Sequence, residues 1–238
     1  KQVIIEVNVT QPEALEGMHD SYVPLDPPNR LPLPLVKPED RIGTPYIPCD
    51  LSKVAAIVPC DITDKVRSLG AIDDEAKAMG ENLVAFFKTE VAEGRLPKNL
   101  LPLQSGVGSV ANAVINGLVN SDFEDLTVFT EVVQDGMFDL IDAGKLRVCS
   151  GTALSPSPDC LKKFYANVEK YKKYIVLRPQ EVANSPELAR RIGVIAMNTA
   201  IEVDIYGNVN STHIAGTKIM NGIGGSGDYA RNGFLTVF

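Results

Sequence analysis

Residues 100–118 read LLPLQSGVGSVANAVINGL. The apolar run LLPLQ (100–104) predicts a strand, GVG a tight turn and Val107–Leu118 a helix. This strand–turn–helix unit is the building block of parallel α/β sheets. The same alternation continues downstream. LTVFT (126–130) reads as a strand, Glu131–Ala143 as a helix, LRVCS (146–150) as a short strand and Asp159–Tyr171 as a helix. YIVLR (174–178) is a further strand, and Pro186–Ile192 a helix with proline in its first turn. VIAMNT (194–199) and AIEVDIY (200–206) read as strands joined through NVNSTHIAG to a glycine-rich loop, NGIGGSGDYARN (221–232). Upstream, VAAIVP (54–59) reads as a strand and Asp73–Glu93 as a helix closed by Gly94. The expectation is an α/β domain with a mostly parallel sheet.

The 238 residues carry a net charge of −7 and 45% hydrophobic side chains, the composition of a soluble globular protein. The acidic balance and the lack of a basic stripe argue against a nucleic-acid partner. No apolar run approaches a membrane span of roughly 18 residues. Four cysteines without C-x-x-C spacing and two histidines, His19 and His213, give no zinc signature; free thiols are expected and no metal. Residues 11–48 hold nine of the sixteen prolines, which predicts an extended arm whose leucines lie against a surface. The chain opens on VIIEVNV and closes on GFLTVF. Apolar strand material at both ends leads us to expect a piece of a longer protein.

Four places could carry chemistry. GVGSVA (106–111) fits G-x-G-x-x-A, with Glu131 25 residues beyond Gly106 at the end of the next strand. A nicotinamide cofactor, another phosphate-bearing ligand and a purely structural turn all remain open there. Glu131 reads either as an ordinary acid in a first helical turn or as a carboxylate at the ligand-binding edge of a parallel sheet, able to act as a nucleophile. In RPQEVANSPE (178–187), Asn184 or Ser185 either caps the helix begun by Pro186 or offers an amide to an oxyanion. Ser226 fails G-x-S-x-G because Asp228 takes the last place. His213 reads as a loop histidine with a local hydrogen bond.

Taken together, QSGVGSVANAV, FTEVVQD, RPQEVANSPE, VDIYGNVNSTH and NGIGGSGDYARN resemble the acetyl-CoA hydrolase/transferase family, which includes the succinyl-CoA:acetate CoA-transferases of class I. SGTALSPSPDCLKKFYANVEKY (150–171) resembles the fungal members most. The resemblance implies a class I CoA-transferase-like α/β fold. Residues 1–10 would end an N-terminal α/β domain, 11–52 form the proline-rich crossover arm, and 53–238 form a C-terminal domain incomplete at its end. It further implies transfer of CoA between an acyl-CoA and a small carboxylate, or hydrolysis of acetyl-CoA. Glu131 would be the nucleophile, with Asn184 and Gly225 near the acyl oxygen. Gly106, Val107, Gly108, Ser109, Val110, Asn221 and Gly225 would contact CoA. CoA is then a substrate and no cofactor is implied. The expected partners are acyl-CoA, small carboxylates, a second copy in a homodimer and the missing N-terminal half. The expected compartment is the mitochondrion, ahead of the cytoplasm. A nicotinamide dehydrogenase and a non-catalytic CoA-binding module are the alternatives.

Overall fold

A computed structural model describes residues 2–63 and 73–238. In chain order, β1 (Val3–Asn8) is followed by the arm and then by β2 (Val54–Cys60) and α1 (Asp74–Ala92). The alternating part comprises β3 (Leu103–Ser105), α2 (Ser109–Val119), β4 (Leu126–Phe129), β5 (Val132–Val133), α3 (Asp135–Asp142), β6 (Leu146–Gly151) and β7 (Ala153–Leu154). It continues through α4 (Pro158–Ala166), α5 (Val168–Tyr171), β8 (Ile175–Leu177), α6 (Gln180–Ala183), α7 (Pro186–Ile192) and β9 (Ile195–Met197). Two small hairpins follow, β10 (Glu202–Val203) with β11 (Val209–Asn210), and β12 (His213–Ile214) with β13 (Lys218–Ile219). The chain ends with α8 (Ser226–Ala230) and β14 (Leu235–Val237).

Six strands form one sheet in the order β14-β9-β3-β4-β6-β8, with every pairing parallel. The chain enters at β3, runs outward through β4, β6 and β8, then returns to build β9 and β14 on the other side. The strand order therefore reverses between β3 and β9, and α/β proteins place ligands at the carboxyl edge beside such a reversal.

Side chains alternate across a strand, and here they feed two cores. Val128, Ile195 and Met197 join Phe87, Ile115, Leu118, Phe138 and Phe164 on one face. Phe129 and Ala196 join Val182, Leu188 and Tyr229 on the other. The arm completes the second core with fully buried Leu35, while Leu25 and Leu31 stay exposed. Arg178 fixes the arm: its buried guanidinium pairs with Asp20, donates to the carbonyls of Pro38 and Asp40, and donates through Nε to Ser150 Oγ at 2.6 Å. The first of these acceptors lies 158 residues away in sequence.

Four expectations change. The helix expected over Asp159–Tyr171 breaks at Asn167 into α4 and α5. Residues 54–59 are a strand, but it pairs with β1 in a separate two-stranded parallel sheet and not with the central one. The helix expected from Glu131 starts at Asp135, because Val132 and Val133 pair with β7 first. AIEVDIY contributes only a two-residue hairpin strand. Val203, Ile205 and Tyr206 of this stretch stand in the open.

Candidate active site

Glu131 lies in the link between β4 and β5, at the carboxyl edge of the sheet. It is outside any helix, which removes the reading of a first-turn acid. Three sets of contacts position it. Its carbonyl accepts hydrogen bonds from the N–H groups of Thr152 at 2.8 Å and Ala153 at 3.1 Å, beyond the end of β6. Flanking it, Thr130 Oγ1 donates to the Ser105 carbonyl at 3.2 Å and Gln134 Nε2 to the Gly106 carbonyl at 2.9 Å. The carboxylate itself is held by Asn184, whose Nδ2 donates to Oε2 at 2.8 Å. No described residue donates to Oε1.

The two alternatives for residues 184 and 185 are both realised, on adjacent residues. Ser185 is the N-cap of α7, its Oγ accepting from the Leu188 N–H at 3.3 Å, with Pro186 in the first turn. That frees Asn184, which follows α6 and is buried, to point its amide at Glu131. The glycine loop closes the group. A Cβ on Gly225 would meet Glu131 Oε2 and Asn184 Nδ2 far closer than the 3.0 Å that real Cβ atoms keep. Gly225 has φ −93°, open to any residue, so glycine is required there for room and not for conformation. Its N–H donates to no described residue. Tyr229 seats the loop, donating from its hydroxyl to the Ala183 carbonyl at 2.6 Å, next to Asn184. Burial, reinforced by the charges of Glu131 and Asp228, pushes this phenol well above its ordinary pKa.

The GVGSV turn lies beside this group. The Gly106 N–H donates to the Met197 carbonyl at 2.8 Å, bridging β3 and β9 at the strand-order reversal. Gln104 and Asn198 exchange amide hydrogen bonds beneath it, at 2.8 and 3.1 Å. Gly108 caps α2 with φ +137°, a glycine conformation, and Ser109 opens the helix. Val107 is exposed and Val110 half-buried. The first N–H groups of such a helix lack internal partners and suit an anion. Asn221 is exposed, and its amide donates to the Ser211 carbonyl at 3.3 Å.

Gln134, Thr152 and Asn184 each bury a side-chain oxygen without a partner, three of the four such atoms among the described residues. Each costs about 1–3 kcal/mol if left unpaired, and all three belong to residues on or bonded to the Glu131 link. Sequence reasoning missed Thr130, Gln134, Thr152 and Tyr229. Gln134, between Val133 and Asp135, gave no signal in the sequence, because its burial shows only in the fold. His213 does make a local contact, its Nδ1 2.7 Å from Thr212 Oγ1. All four cysteines are free, and burial pushes the Cys160 thiol up to about 12. No described group of three His, Cys, Asp or Glu side chains could hold a metal, and no described helix is long and apolar enough to cross a membrane.

Residues 161–237 match the acetyl-CoA hydrolase/transferase C-terminal domain. Over 237 residues the chain is 56% identical to a succinyl-CoA:acetate CoA-transferase of Clostridium kluyveri, covering all of this chain and 44% of that protein. Over its whole length the chain is similar to members of the acetyl-CoA hydrolase/transferase family. An acetyl-CoA hydrolase of Yarrowia lipolytica is 46% identical over 99% of this chain and 45% of its own length. The chain thus spans less than half the length of the curated relatives it matches. The higher identity is to the bacterial relative, so overall identity does not favour the fungal leaning read from residues 150–171. The family's α/β fold is also that of RipA from Yersinia pestis, at TM-score 0.59 and 21% identity over 78% of this chain and 39% of RipA. None of these relatives supports the nicotinamide dehydrogenase or the non-catalytic CoA-binding module.

Proposed function

We propose that the protein to which these residues belong moves CoA between an acyl-CoA and a small carboxylate, with Glu131 as nucleophile. The observation that carries this reading is the grouping of Glu131, Asn184 and Gly225. One carboxylate oxygen is held by an amide, the other is free, and an unused backbone N–H lies alongside. A Glu131 oxygen attacks the thioester carbonyl, giving a mixed anhydride and CoA thiolate. The thiolate then attacks the glutamyl carbonyl, forming an enzyme–CoA thioester and releasing the acyl group as its carboxylate. A second carboxylate reverses both steps and leaves as the new acyl-CoA; water in its place completes a hydrolysis.

A carboxylate is a weak nucleophile, so the rate must come from positioning and from charge stabilisation as the oxyanion develops. The Gly225 N–H and the Asn184 amide are suited to that oxyanion. The GVGSV turn, with exposed Val107 and the helix start at Ser109 and Val110, is suited to the CoA body, and Asn221 to its outer part. Succinyl-CoA as donor and acetate as acceptor follow from the relatives' names. A homodimer and a mitochondrial location belong to the same reading and rest on resemblance alone.

Mass spectrometry of the full-length protein after exposure to acetyl-CoA tests the reading. Glu131 should carry CoA, and borohydride should then reduce and inactivate it. Label on another residue, or full activity in Glu131→Ala, sinks it. Supplying succinyl-CoA with and without acetate separates the two outcomes. CoA release without acetate as fast as acetyl-CoA formation with it makes the protein a hydrolase.

A further inference from the structure

The link carrying Glu131 is stapled on both sides to the glycine turn. Thr130, fully buried, donates its hydroxyl to the carbonyl of Ser105. Gln134, only 1% exposed, donates its amide to the carbonyl of Gly106. The two donors bracket Glu131, and the two acceptors are consecutive carbonyls of one turn. The acceptors also fix the orientation of the glutamine: a carbonyl can only accept, so the NH2 group must face Gly106, leaving Oε1 buried without a partner. The turn is rigid in its own right, since the Gly106 N–H is bonded to Met197 and Gln104 is locked to Asn198 below it.

Main-chain pairing alone does not give this restraint. The Thr130 N–H bonds to the Ser150 carbonyl at 2.9 Å, and the Glu131 carbonyl is held from residues 152 and 153. These bonds tie the link to β6, on the side away from β3. Among the described residues, the hydrogen bonds from the link to the turn come from the side chains of Thr130 and Gln134. We propose that Thr130 and Gln134 are positioning residues that hold the Glu131 carboxylate and the GVGSV turn at a fixed separation, so that a substrate seated on the turn meets the nucleophile in register. The inference rests on the reading of Glu131 as nucleophile and gives a role to two further residues of the FTEVVQD motif.

The test measures, in the full-length protein, the rate at which CoA becomes trapped on Glu131 at saturating acyl-CoA, beside kcat, KM and thermal stability. Thr130→Val and Gln134→Met keep size and lose the donor. Each should slow trapping and kcat about tenfold to a hundredfold, the penalty of a small misplacement, with KM for acyl-CoA within about twofold. Thr130→Ser keeps the hydroxyl and should restore the rate. Trapping at the wild-type rate in both donor-less variants, even with a lowered melting temperature, overturns the proposal and makes the staples structural only. If Gln134→Met does not fold, the Thr130→Val and Thr130→Ser pair decides alone. Absence of CoA on Glu131 in the wild type overturns the nucleophile reading, and this proposal with it; wild-type trapping with unchanged variants overturns this proposal only.

Discussion

The molecule has two glycine clusters, GVG at 106–108 and GIGG at 222–225, and they solve different problems. In the first, the backbone is wired into the sheet: the Gly106 N–H bonds to Met197 and its carbonyl to Gln134. In the second, three of the four residues are exposed, and only Gly225 is buried. Each cluster contains one glycine that needs its φ, Gly108 at +137° and Gly224 at +60°. Each also contains one where an added Cβ would be crowded, tightly at Gly106 and far below contact distance at Gly225. At Gly106 the neighbour is Asn198 Oδ1, 3.0 Å from where a Cβ would stand; at Gly225 it is the carboxylate of Glu131. Room is kept for the scaffold in one loop and for the candidate nucleophile in the other.

That contrast is broken or upheld most sharply by Gly225→Ala. The added carbon displaces Glu131 and Asn184 before any substrate arrives, and it crowds the N–H offered to the oxyanion. Activity of the full-length protein should fall by about two to three orders of magnitude, the cost of losing such a contact, with the fold intact by circular dichroism. Activity within a few-fold of wild type would mean that the loop moves aside freely and that its closeness to Glu131 has no catalytic weight.

Gly106→Ala comes next. Its Cβ presses on an amide that is locked to Gln104, so the strain reaches the turn and the Glu131 link together. Overpacking of this kind costs about 1–3 kcal/mol. If about half of that is felt at the reacting atoms, turnover drops about twofold to tenfold, with a visible loss of stability by thermal melting. An unchanged melting temperature would show that Asn198 can give way, and that the turn is less tightly wired than its hydrogen bonds indicate.

These effects bear on what the sequence disclosed. The strands from 126 to 178 and the helix Pro186–Ile192 were legible because short apolar runs are bounded by glycine, proline or caps. The parallel sheet followed from their alternation with helices. The family resemblance named Glu131, Asn184 and Gly225 as candidates and set the glycine loop facing Glu131; the Asn184–Glu131 hydrogen bond, between residues 53 positions apart, and the crowding at Gly225 needed coordinates. The start of α3 was misjudged because the valines after Glu131 satisfy helical and strand patterns alike, and pairing with β7 decides between them. Arg178 and Asp20 were out of reach for the same reason: a charge at a strand end looks like solvent-facing punctuation until its distant partner arrives. The glycine loop could be recognised as needing room or positive φ, but only coordinates divide those needs between Gly224 and Gly225.

Gly224→Ala tests that division. A left-handed conformation costs a side-chain-bearing residue about 1–2 kcal/mol, and no neighbour lies within 4 Å of the new carbon. The melting temperature should therefore fall by about 2–8 °C, with turnover per folded molecule within about twofold. A large loss of turnover at unchanged stability would show that Gly224, like Gly225, keeps space for something that reacts.

The smallest effect belongs to Gly222→Ala. This residue has neither positive φ nor any atom within 4 Å of an added Cβ, and it is exposed. Within these residues nothing requires glycine there. A compatible Gly→Ala change reduces the freedom of the unfolded chain, so stability should stay level or rise by about 0.4–1 kcal/mol. Turnover and KM for acyl-CoA should match the wild type. The informative failure is a rise in KM with kcat preserved. Since the described residues leave that face open, such a rise would place bound CoA, or another part of the full-length protein, against residue 222 from outside, and both glycine clusters would then be shaped by contact.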